Sequence, residues 1–535
     1  MTDLALGCSN LIHYWEPKAG FTRYGEWGAG AGFFTDRKLA APSHAKEEPT
    51  SPQPVPAIPM SAVLDLSDRM DASGQLTWNA PEGDWTVLRI GYTSTGIKNH
   101  PASAGGHGLE CDKLHPSGAE AAFDGMLRKL IDDNAPLVGK SFSLAHIDSW
   151  EVGIQNWTEE LADVFEARNG YDLLPFYPLL VAGHAVGSNG ASERFLWDLR
   201  KTLRAMIAEN YLGRMQALCR QHGLAFSSEA AGRQTFLHSP VDLLTVSDLP
   251  MGEFWPHEAT PRVDGKAAAS VAHLYNKPLV GAEAFTGGGD YAAWQCHPYR
   301  LKGIGDEAFC LGINHFVIHY SVHQAYEGFR PGFAMGPWGI HLDRMNTWWK
   351  QSGSWLKYLA RCQYLLRQGN FVADVLYFPG EDAPYYFGKR DSLSVPLPPG
   401  YDFDGCDSDT LMARLSVKDG RLVLPHDQTY RYLMLPDASG MTPELAHRVR
   451  QLVEAGAYVI GPKPLRSPSL RGFPECDANV RGVQDLWDSG RIRWGRTFAD
   501  YAREDGLVPD FDFTSASGQD DVRYIHRRTE THELY

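Results

Sequence analysis

Between residues 85 and 369 the chain alternates short apolar runs with longer segments in which apolar residues recur every three or four positions. Short apolar runs are typical of buried strands and the longer spacing is typical of helices, so the pattern predicts βα units around a parallel sheet. The predicted strands are 85–93, 141–148, 223–228, 242–248, 279–285 and 314–320. The predicted helices are 118–133, 193–219, 264–276, 301–312 and 346–367.

This succession of units favours a (β/α)8 TIM-like barrel over an open doubly wound sheet, because no glycine-rich nucleotide-binding turn follows any predicted strand. The predicted fold class is therefore α/β. After residue 370 the pattern restarts as a smaller α/β domain, in which Thr442, Pro443 and Gly456 mark the start and the end of a helix. The predicted divisions are 1–60 irregular or linker, 61–84 β-rich, 85–369 barrel, 370–500 small α/β domain and 501–535 the start of a truncated β region.

Composition excludes several kinds of partner. The formal net charge is −15 and the chain has no block of basic residues, which disfavours nucleic acid. The 8 cysteines include no CxxC pair, so neither a zinc knuckle nor a disulfide framework is indicated. No apolar run is long enough to span a membrane, and the N-terminal segment has no signal-peptide pattern. The chain is predicted to be soluble. A periplasmic or secreted location follows only if the natural chain starts earlier. The oligomeric state stays open.

Four of the predicted strands end in, or are directly followed by, acidic residues. The clearest case is HIDSWEVG at 146–153, which directly follows the run SFSLA. In a parallel barrel the carboxyl ends of all strands meet on one face, so acids from separate strands meet in one pocket. The acids concerned are Asp148 and Glu151, Glu229, Asp248 and Glu253, and Glu283.

Several carboxylates without a nucleophilic serine or cysteine motif point to glycoside hydrolysis, which needs one protonated carboxylic acid and one carboxylate. The 15 tryptophans agree with this chemistry because indole rings stack on sugar faces, although a large core uses tryptophan too. His319 and His323 flank a further strand end and are candidates for binding sugar hydroxyls. Zinc is disfavoured because the two histidines lack the HExxH helix pattern.

Seven segments carry a resemblance to a known family. In chain order they are EGDWTVLRIGYTSTG, GLECDKL, IDSWEVGIQNWT, DLPMGEFW, VGAEAFT, DEAFCLGINHFVIHYSVHQ and MGPWGIHLDRMNTWW. Together they resemble glycoside hydrolase family 106, the α-L-rhamnosidases, most strongly over about 60–378 and more loosely to about 500. The resemblance implies a (β/α)8 barrel, inverting hydrolysis by a pair of glutamic acids, and a calcium ion that holds hydroxyls of the bound rhamnose.

By this resemblance, Glu151 of DSWEVG is the general acid and Glu283 of GAEAFT is the general base. Glu253 of MGEFW is the expected calcium ligand. The expected substrate is an oligosaccharide or glycoside that contains rhamnose. The residues expected to bind it are Asp148, Trp150, Glu229, Trp255, His319, His323 and Trp338.

Two alternatives stay open from the sequence. One is a retaining barrel glycosidase with a β-galactosidase-like domain order, which a shorter distance between the acid and its partner would favour. The other is a carbohydrate-binding protein whose barrel does not catalyse. Members of family 106 are generally longer, with β-rich regions before and after the barrel, so the chain resembles part of a member. The natural glycoside and its linkage stay open.

Overall fold

The described residues of the chain fold around two parallel sheets that share an apolar core. A computed structural model describes Leu4–Ala5, 57–99, 102–150, 155–182, 184–229, 240–257, 263–291, 293–336, 338–383, 385, 387–517 and 522–535. Each of these two sheets has five strands within these ranges.

The first sheet consists of strands that follow one another in chain order. They are β1 (Leu144–Ile147), β2 (Ala225–Glu229), β3 (Leu249–Phe254), β4 (Gly281–Ala284) and β5 (His315–Ile318). The sheet curls into a half-barrel, so the described residues form five of the eight strands expected for a complete barrel. The predicted strand 85–93 is reduced to Ile90–Gly91, which pairs with Leu4–Ala5 rather than with β1.

Helices connect the strands and cover the sheets, and each predicted helix is found. They are α1 (Pro116–Ala122), α2 (Arg128–Asp133), α3 (Leu161–Asn169), α4 (Tyr177–Ala182), α5 (Asn189–Met206), α6 (Arg214–Gln221), α7 (Pro240–Leu244), α8 (Val263–Leu274), α9 (Pro298–Cys310), α10 (Gly353–Leu366), α11 (Pro443–Glu454), α12 (Glu475–Arg481), α13 (Asp485–Asp488) and α14 (Phe498–Glu504). A π-helical segment, Ile207–Gly213, joins α5 to α6 within the predicted helix 193–219. In the described part of the chain every helix is too short or too polar to cross a membrane.

The predicted strand 242–248 is wrong. The apolar residues there belong to helix α7, in which Val241 and Leu244 are fully buried and lie three positions apart on one helix face. The strand starts later, at Leu249, and contains Pro250 and Gly252, two residue types that are rare in strands. The sequence therefore placed the strand on the preceding apolar run.

The predicted β-rich segment 61–84 contains no strand. It holds 3-10 turns at Met60–Ala62 and Ser67–Arg69 and an isolated bridge between Met70 and Leu76. Most side chains of the segment are exposed. A short apolar run forms a stable strand only when one face is buried, and among the described residues no neighbouring sheet covers this segment.

The second sheet has the strand order of a doubly wound α/β fold. Its strands are β6 (Val375–Tyr377), β7 (Phe403–Gly405), β8 (Tyr432–Met434), β9 (Tyr458–Ile460) and β10 (Ile492–Arg493). They are all parallel and lie in the order β7-β6-β8-β9-β10, which numbered along the chain is 2-1-3-4-5. Helix α11 begins and ends where predicted: the Thr442 hydroxyl accepts the Leu445 N–H at 3.3 Å, and Gly456 follows the helix with a φ of 100°.

Short antiparallel strands flank the second sheet. Ser416–Lys418, Arg421–Val423 and Thr429–Tyr430 form one three-stranded sheet. In another, the strand Arg527–Arg528 lies between two others. Its neighbours are Glu533–Leu534 and Asn370–Phe371.

One apolar core extends from the first sheet to the second. It contains Phe254 and Ala282 from the first sheet, Ala267 from α8, and Val375 and Tyr432 from the second sheet, all fully buried. Because the two sheets share this core, the second sheet is packed against the helix-covered face of the first.

Candidate active site

The first sheet is polar on one face and apolar on the other. Side chains alternate between the two faces of a strand, and residues in register on neighbouring parallel strands share a face. The helix-covered face carries Phe254, Ala282 and Ala284, which belong to the shared core. The inner face carries polar residues near the carboxyl ends of the strands: His146, Ser227, Glu229, Glu253 and Glu283.

Glu253 and Glu283 lie directly opposite each other, because β3 and β4 pair with these two residues in register. Glu253 is buried, with 6% of its surface exposed, and the Glu283 side chain is 15% exposed. The Thr286 hydroxyl donates to Glu283 Oε1. His319 Nδ1 lies 3.9 Å from the same oxygen, and burial lowers the pKa of His319. The structure thus brings together three residues that the sequence predicted for the site.

Glu229 ends β2 and is buried beside these acids. Burial, followed by the charges of Glu283 and Asp148, raises the pKa of Glu229 well above its usual range. The Ser149 hydroxyl donates to Glu229 Oε2 at 3.1 Å. Glu229 Oε1 is buried and has no hydrogen-bond partner among the described residues. Glu229 is therefore a carboxyl group that favours its protonated form, near enough to the predicted base for the charge of Glu283 to raise its pKa.

Asp148, Glu229 and His146 form a cluster that could hold a cation. One ligand atom from each lies within 4.8 Å of the others. His146 Nδ1 is 3.1 Å from Ser227 Oγ, and burial lowers the pKa of His146 although the charge of Asp148 opposes this. Calcium takes oxygen ligands, so the two carboxylates fit it and the imidazole does not. The expected ligand Glu253 lies on the same inner face, one strand away from Glu229.

Trp255 and Trp338 form an aromatic edge beside the acids. Trp255 follows β3, two residues after Glu253, and its ring lies 5.8 Å from the Trp338 ring at an interplanar angle of 89°. Trp338 is 45% exposed. Both rings lie close to Gly288, at which a Cβ atom would come within 3.1 Å of the Trp338 ring. Exposed indole faces next to carboxylates are typical of sugar sites.

Three predicted site residues are not placed with this group. Glu151, the expected general acid, lies outside the described residues. The Trp150 ring packs edge-on against Tyr211 at 6.1 Å, within the helix layer. His323 is exposed, and in the described ranges no hydrogen bond or ion pair joins it to the acids on the inner face.

Sequence reasoning missed His146, Ser149 and Thr286. His146 had a usable signal, because it lies two positions before Asp148 at the end of a strand and so shares its face. Ser149 and Thr286 had none, since hydroxyl residues after strands are common in turns.

Comparison with known proteins identifies the family. The model of the family Glyco_hydro_106, described as alpha-L-rhamnosidase, matches residues 2–535. The chain belongs to this family. A solved rhamnosidase from Novosphingobium sp. PP1Y is 30% identical, with a TM-score of 0.80, and the match covers 90% of this chain and 47% of that one. A protein from Formosa agariphila named "Putative beta-glucuronidase" is 39% identical over 482 residues, which are 88% of this chain and 40% of that protein. The chain thus spans less than half the length of these two relatives.

Proposed function

We propose that this chain carries the catalytic site of a glycoside hydrolase that releases terminal α-L-rhamnose from an oligosaccharide or glycoside. The observation that supports the proposal is the set of carboxyl groups on the inner face, with Glu253 opposite Glu283 and Glu229 beside them, in a chain of the rhamnosidase family. The five-stranded half-barrel agrees with an active site at the carboxyl ends of its parallel strands.

Glu283 is proposed as the general base that activates water. Its hydrogen bond from Thr286 holds one oxygen and keeps the carboxylate in place. Inverting hydrolysis needs a general acid roughly 6.5–9.5 Å from this base, so that water fits between the base and the sugar. Family resemblance assigns that acid to Glu151. Glu229 is the second candidate, because its raised pKa keeps a proton available to the departing glycosidic oxygen.

We also propose that a calcium ion binds beside the acids, with Asp148 and Glu253 as protein ligands. Glu229 is a third ligand only where Glu151 is the acid, because a calcium-bound carboxylate is ionised and has no proton to donate. The unpartnered Oε1 of Glu229 and the neighbouring carboxylate of Asp148 support this choice. Calcium would orient vicinal hydroxyls of the sugar by binding their oxygens.

Melting temperatures test the calcium site. Calcium should raise the melting temperature of the chelator-treated chain. Asp148→Asn should reduce that rise, while exposed Asp391→Asn should retain it. Equal rises in the two variants would contradict the proposed ligand.

Hydrolysis of aryl glycosides tests the activity and the substrate. The chain should cleave 4-nitrophenyl α-L-rhamnopyranoside faster than 4-nitrophenyl β-D-glucuronide, and NMR should show β-L-rhamnose as the first anomer released. Cleavage of the glucuronide alone would favour the second candidate, a glucuronidase, which is motivated by the name of the Formosa relative. Release of the α anomer would favour a retaining mechanism, and no cleavage by folded protein would favour a binding protein.

Leaving-group dependence separates the acid from the base. Replacing the acid should lower the rate by about 100-fold or more on a poor leaving group but much less on 4-nitrophenolate, since only the poor leaving group needs a proton. Glu151→Gln and Glu229→Gln are compared in this way, and Glu283→Gln should lower both rates alike. Exposed Glu327→Gln is the matched control. A uniform loss in both acid variants would remove both residues from that role.

A further inference from the structure

A cavity of about 320 Å³ lies away from the acids, between helix α5 and the second sheet. One wall is a stripe of α5 residues four positions apart, Trp197, Lys201 and Ala205. The opposite wall is made by loops that follow β6, β8 and β9, and it includes Glu381, Thr442 and Ser467 respectively. We call it the switch-point cavity, because the strand order of the second sheet reverses beside it, between β6 and β8.

The strand order of the second sheet marks this place as a binding site. In doubly wound sheets with the order 2-1-3-4-5, ligands bind outside the carboxyl ends of the strands, at the point where the order reverses. Here the order reverses between β6 and β8. Glu381 follows β6 and Thr442 follows β8, and both line the cavity. The topology and the cavity therefore indicate the same position independently.

The walls of the cavity are held rigidly. Trp197 Nε1 donates to Asp382 Oδ1 at 2.8 Å, which ties α5 to the loop after β6. Arg204 donates to the backbone carbonyl of Asp382 at 2.9 Å. On the floor, the Tyr171 hydroxyl and the Leu470 N–H both donate to Asp198, at 2.8 and 2.9 Å. A cavity that keeps its shape without a ligand is preorganised to bind one.

The position that a phosphate would take is already filled. In doubly wound folds that position is the N-terminus of the helix at the switch point. Here the Glu381 carboxylate accepts the Thr442 N–H at 2.9 Å and the Thr442 hydroxyl at 2.7 Å, at the start of α11. A second anion at this helix end would find both Thr442 donors already taken by Glu381.

The rest of the lining suits an uncharged, hydroxyl-rich ligand. It combines cationic side chains (Arg168, Lys201, Arg471) with acidic ones (Asp198, Glu381, Glu444), so neither sign of charge dominates. Burial lowers the pKa of Lys201 to about 8 and raises the pKa values of Asp198 and Glu381. Lys201 Nζ lies 5.6 Å from the centre of the Trp197 ring. Donors and acceptors beside an aromatic ring are what sugar hydroxyls and a sugar face require.

We propose that the switch-point cavity is a second saccharide-binding site, which takes an uncharged sugar and is separate from the acids of the first sheet. The choice of a saccharide over other polyols rests on the proposed function. The volume is at the lower end of the range of about 300–1,000 Å³ for small-molecule pockets, which suits one or two sugar rings. Such a site would hold one part of a polysaccharide while the acids act on another.

Calorimetric titration of the Glu283→Gln chain with methyl α-L-rhamnopyranoside tests the proposal, because this background prevents hydrolysis. Ala205→Trp should fill the cavity and abolish one binding event, while Ala121→Trp, at an exposed helical alanine, should retain it. Lys201→Met keeps the aliphatic stem and should weaken the same event by about 2- to 10-fold, the effect of one lost hydrogen bond. Exposed Lys129→Met is its control. Melting temperatures check that each variant folds. If Ala205→Trp does not fold, Lys201→Met still tests the cavity.

The outcomes separate this proposal from the proposed function. If the chain fails to hydrolyse any rhamnoside but one of a panel of methyl glycosides binds and depends on Ala205 and Lys201, the second site stands. If none of these sugars loses affinity in Ala205→Trp relative to Ala121→Trp, the second site is overturned, whatever the hydrolysis shows. Binding of D-glucuronate or inorganic phosphate in the cavity, in place of neutral sugars, would also overturn it. Ala205→Trp should leave the hydrolysis of 4-nitrophenyl α-L-rhamnopyranoside unchanged.

Discussion

At the level of single residues, the acids of the inner face differ in how far the sequence determines them. Residue type and position after a strand are local features, so Asp148, Glu229 and Glu283 could be recognised from the sequence alone. The pairing of Glu253 with Glu283 depends on the register between β3 and β4. Register is set by packing over the whole sheet, because a slip of β3 by one residue would turn Glu253 towards the helices.

Asp374 provides a test of how burial sets the charge of a single carboxyl group. It lies directly before β6, and its Oδ2 has no hydrogen-bond partner among the described residues. Burial and the charge of Asp510 raise the pKa of Asp374 to about 7. A carboxyl whose folded-state pKa is raised binds more protons in the folded state than in the unfolded state. Stability is therefore lost as the pH rises from about 4, the ordinary pKa, to about 7.

We predict that Asp374→Asn is more stable than the native chain at pH 8 by ~2–4 kcal/mol, and by less at pH 5, because asparagine stays neutral throughout. Urea unfolding at the two pH values measures the difference. Exposed Asp391→Asn should change the free energy of unfolding little at either pH. A difference that is the same at pH 5 and pH 8 would mean that Asp374 does not titrate in this range.

At the level of helices and strands, periodicity predicted the elements well where one face is buried. The helices and the strands β1, β2, β4 and β5 were all found close to their predicted places. Strand β3 was missed because Pro250 and Gly252 conceal it in the sequence. Both are tolerated because β3 is buried on both faces, so tertiary packing outweighs the low strand propensity of these residues.

Gly252 has a packing role that the sequence does not show. A Cβ atom at this position would lie 2.7 Å from the backbone carbonyl carbon of Asp264 and 2.8 Å from the backbone nitrogen of Gly265. Both atoms belong to the first turn of α8, which cannot move without separating the helix from the sheet. Glycine thus allows α8 to pack closely on β3, next to Glu253.

We predict that Gly252→Ala lowers the free energy of unfolding by about 1–3 kcal/mol, because it overpacks the contact between β3 and α8. Gly303→Ala is the matched control. Gly303 is exposed within α9 and a Cβ atom there would meet nothing within 4 Å, so alanine should stabilise that helix by about 0.5–1 kcal/mol. Urea unfolding of both variants measures whether the free energy of unfolding falls in Gly252→Ala and rises in Gly303→Ala. If Gly252→Ala were as stable as the native chain, the close approach of α8 would not matter.

At the level of the whole molecule, helix α5 joins the two sheets. Arg194 donates to Asp477 Oδ2 at 2.7 Å and to the carbonyl of Ser469 at 3.0 Å, and the Arg194 side chain is only 7% exposed. These partners lie more than 270 positions further along the chain. Helical periodicity predicts α5 but says nothing about such distant partners. This explains why the sequence predicted a second α/β domain but not the cavity that forms where that domain meets α5.

The pair of Arg194 and Asp477 should therefore contribute to the stability of the contact between the two sheets. Arg194→Met keeps much of the apolar stem but removes the charged donor of Asp477, which retains the Ser467 N–H at 2.9 Å, and the stronger donor of the Ser469 carbonyl. We predict a loss of about 1–3 kcal/mol in the free energy of unfolding at pH 7, the cost of removing one charged hydrogen-bond donor from two largely buried acceptors. The hydrogen bond and charge of Arg194 outweigh burial and lower the pKa of Asp477. The contribution of the pair to stability is therefore present above the ordinary pKa of Asp477 and is lost as the pH falls through the lowered value.

The control is Arg503→Met, which removes an exposed arginine that pairs with Asp500 at 3.3 Å and should cost less than about 1 kcal/mol. Equal losses in the two variants would show that the buried pair does not hold the sheets together.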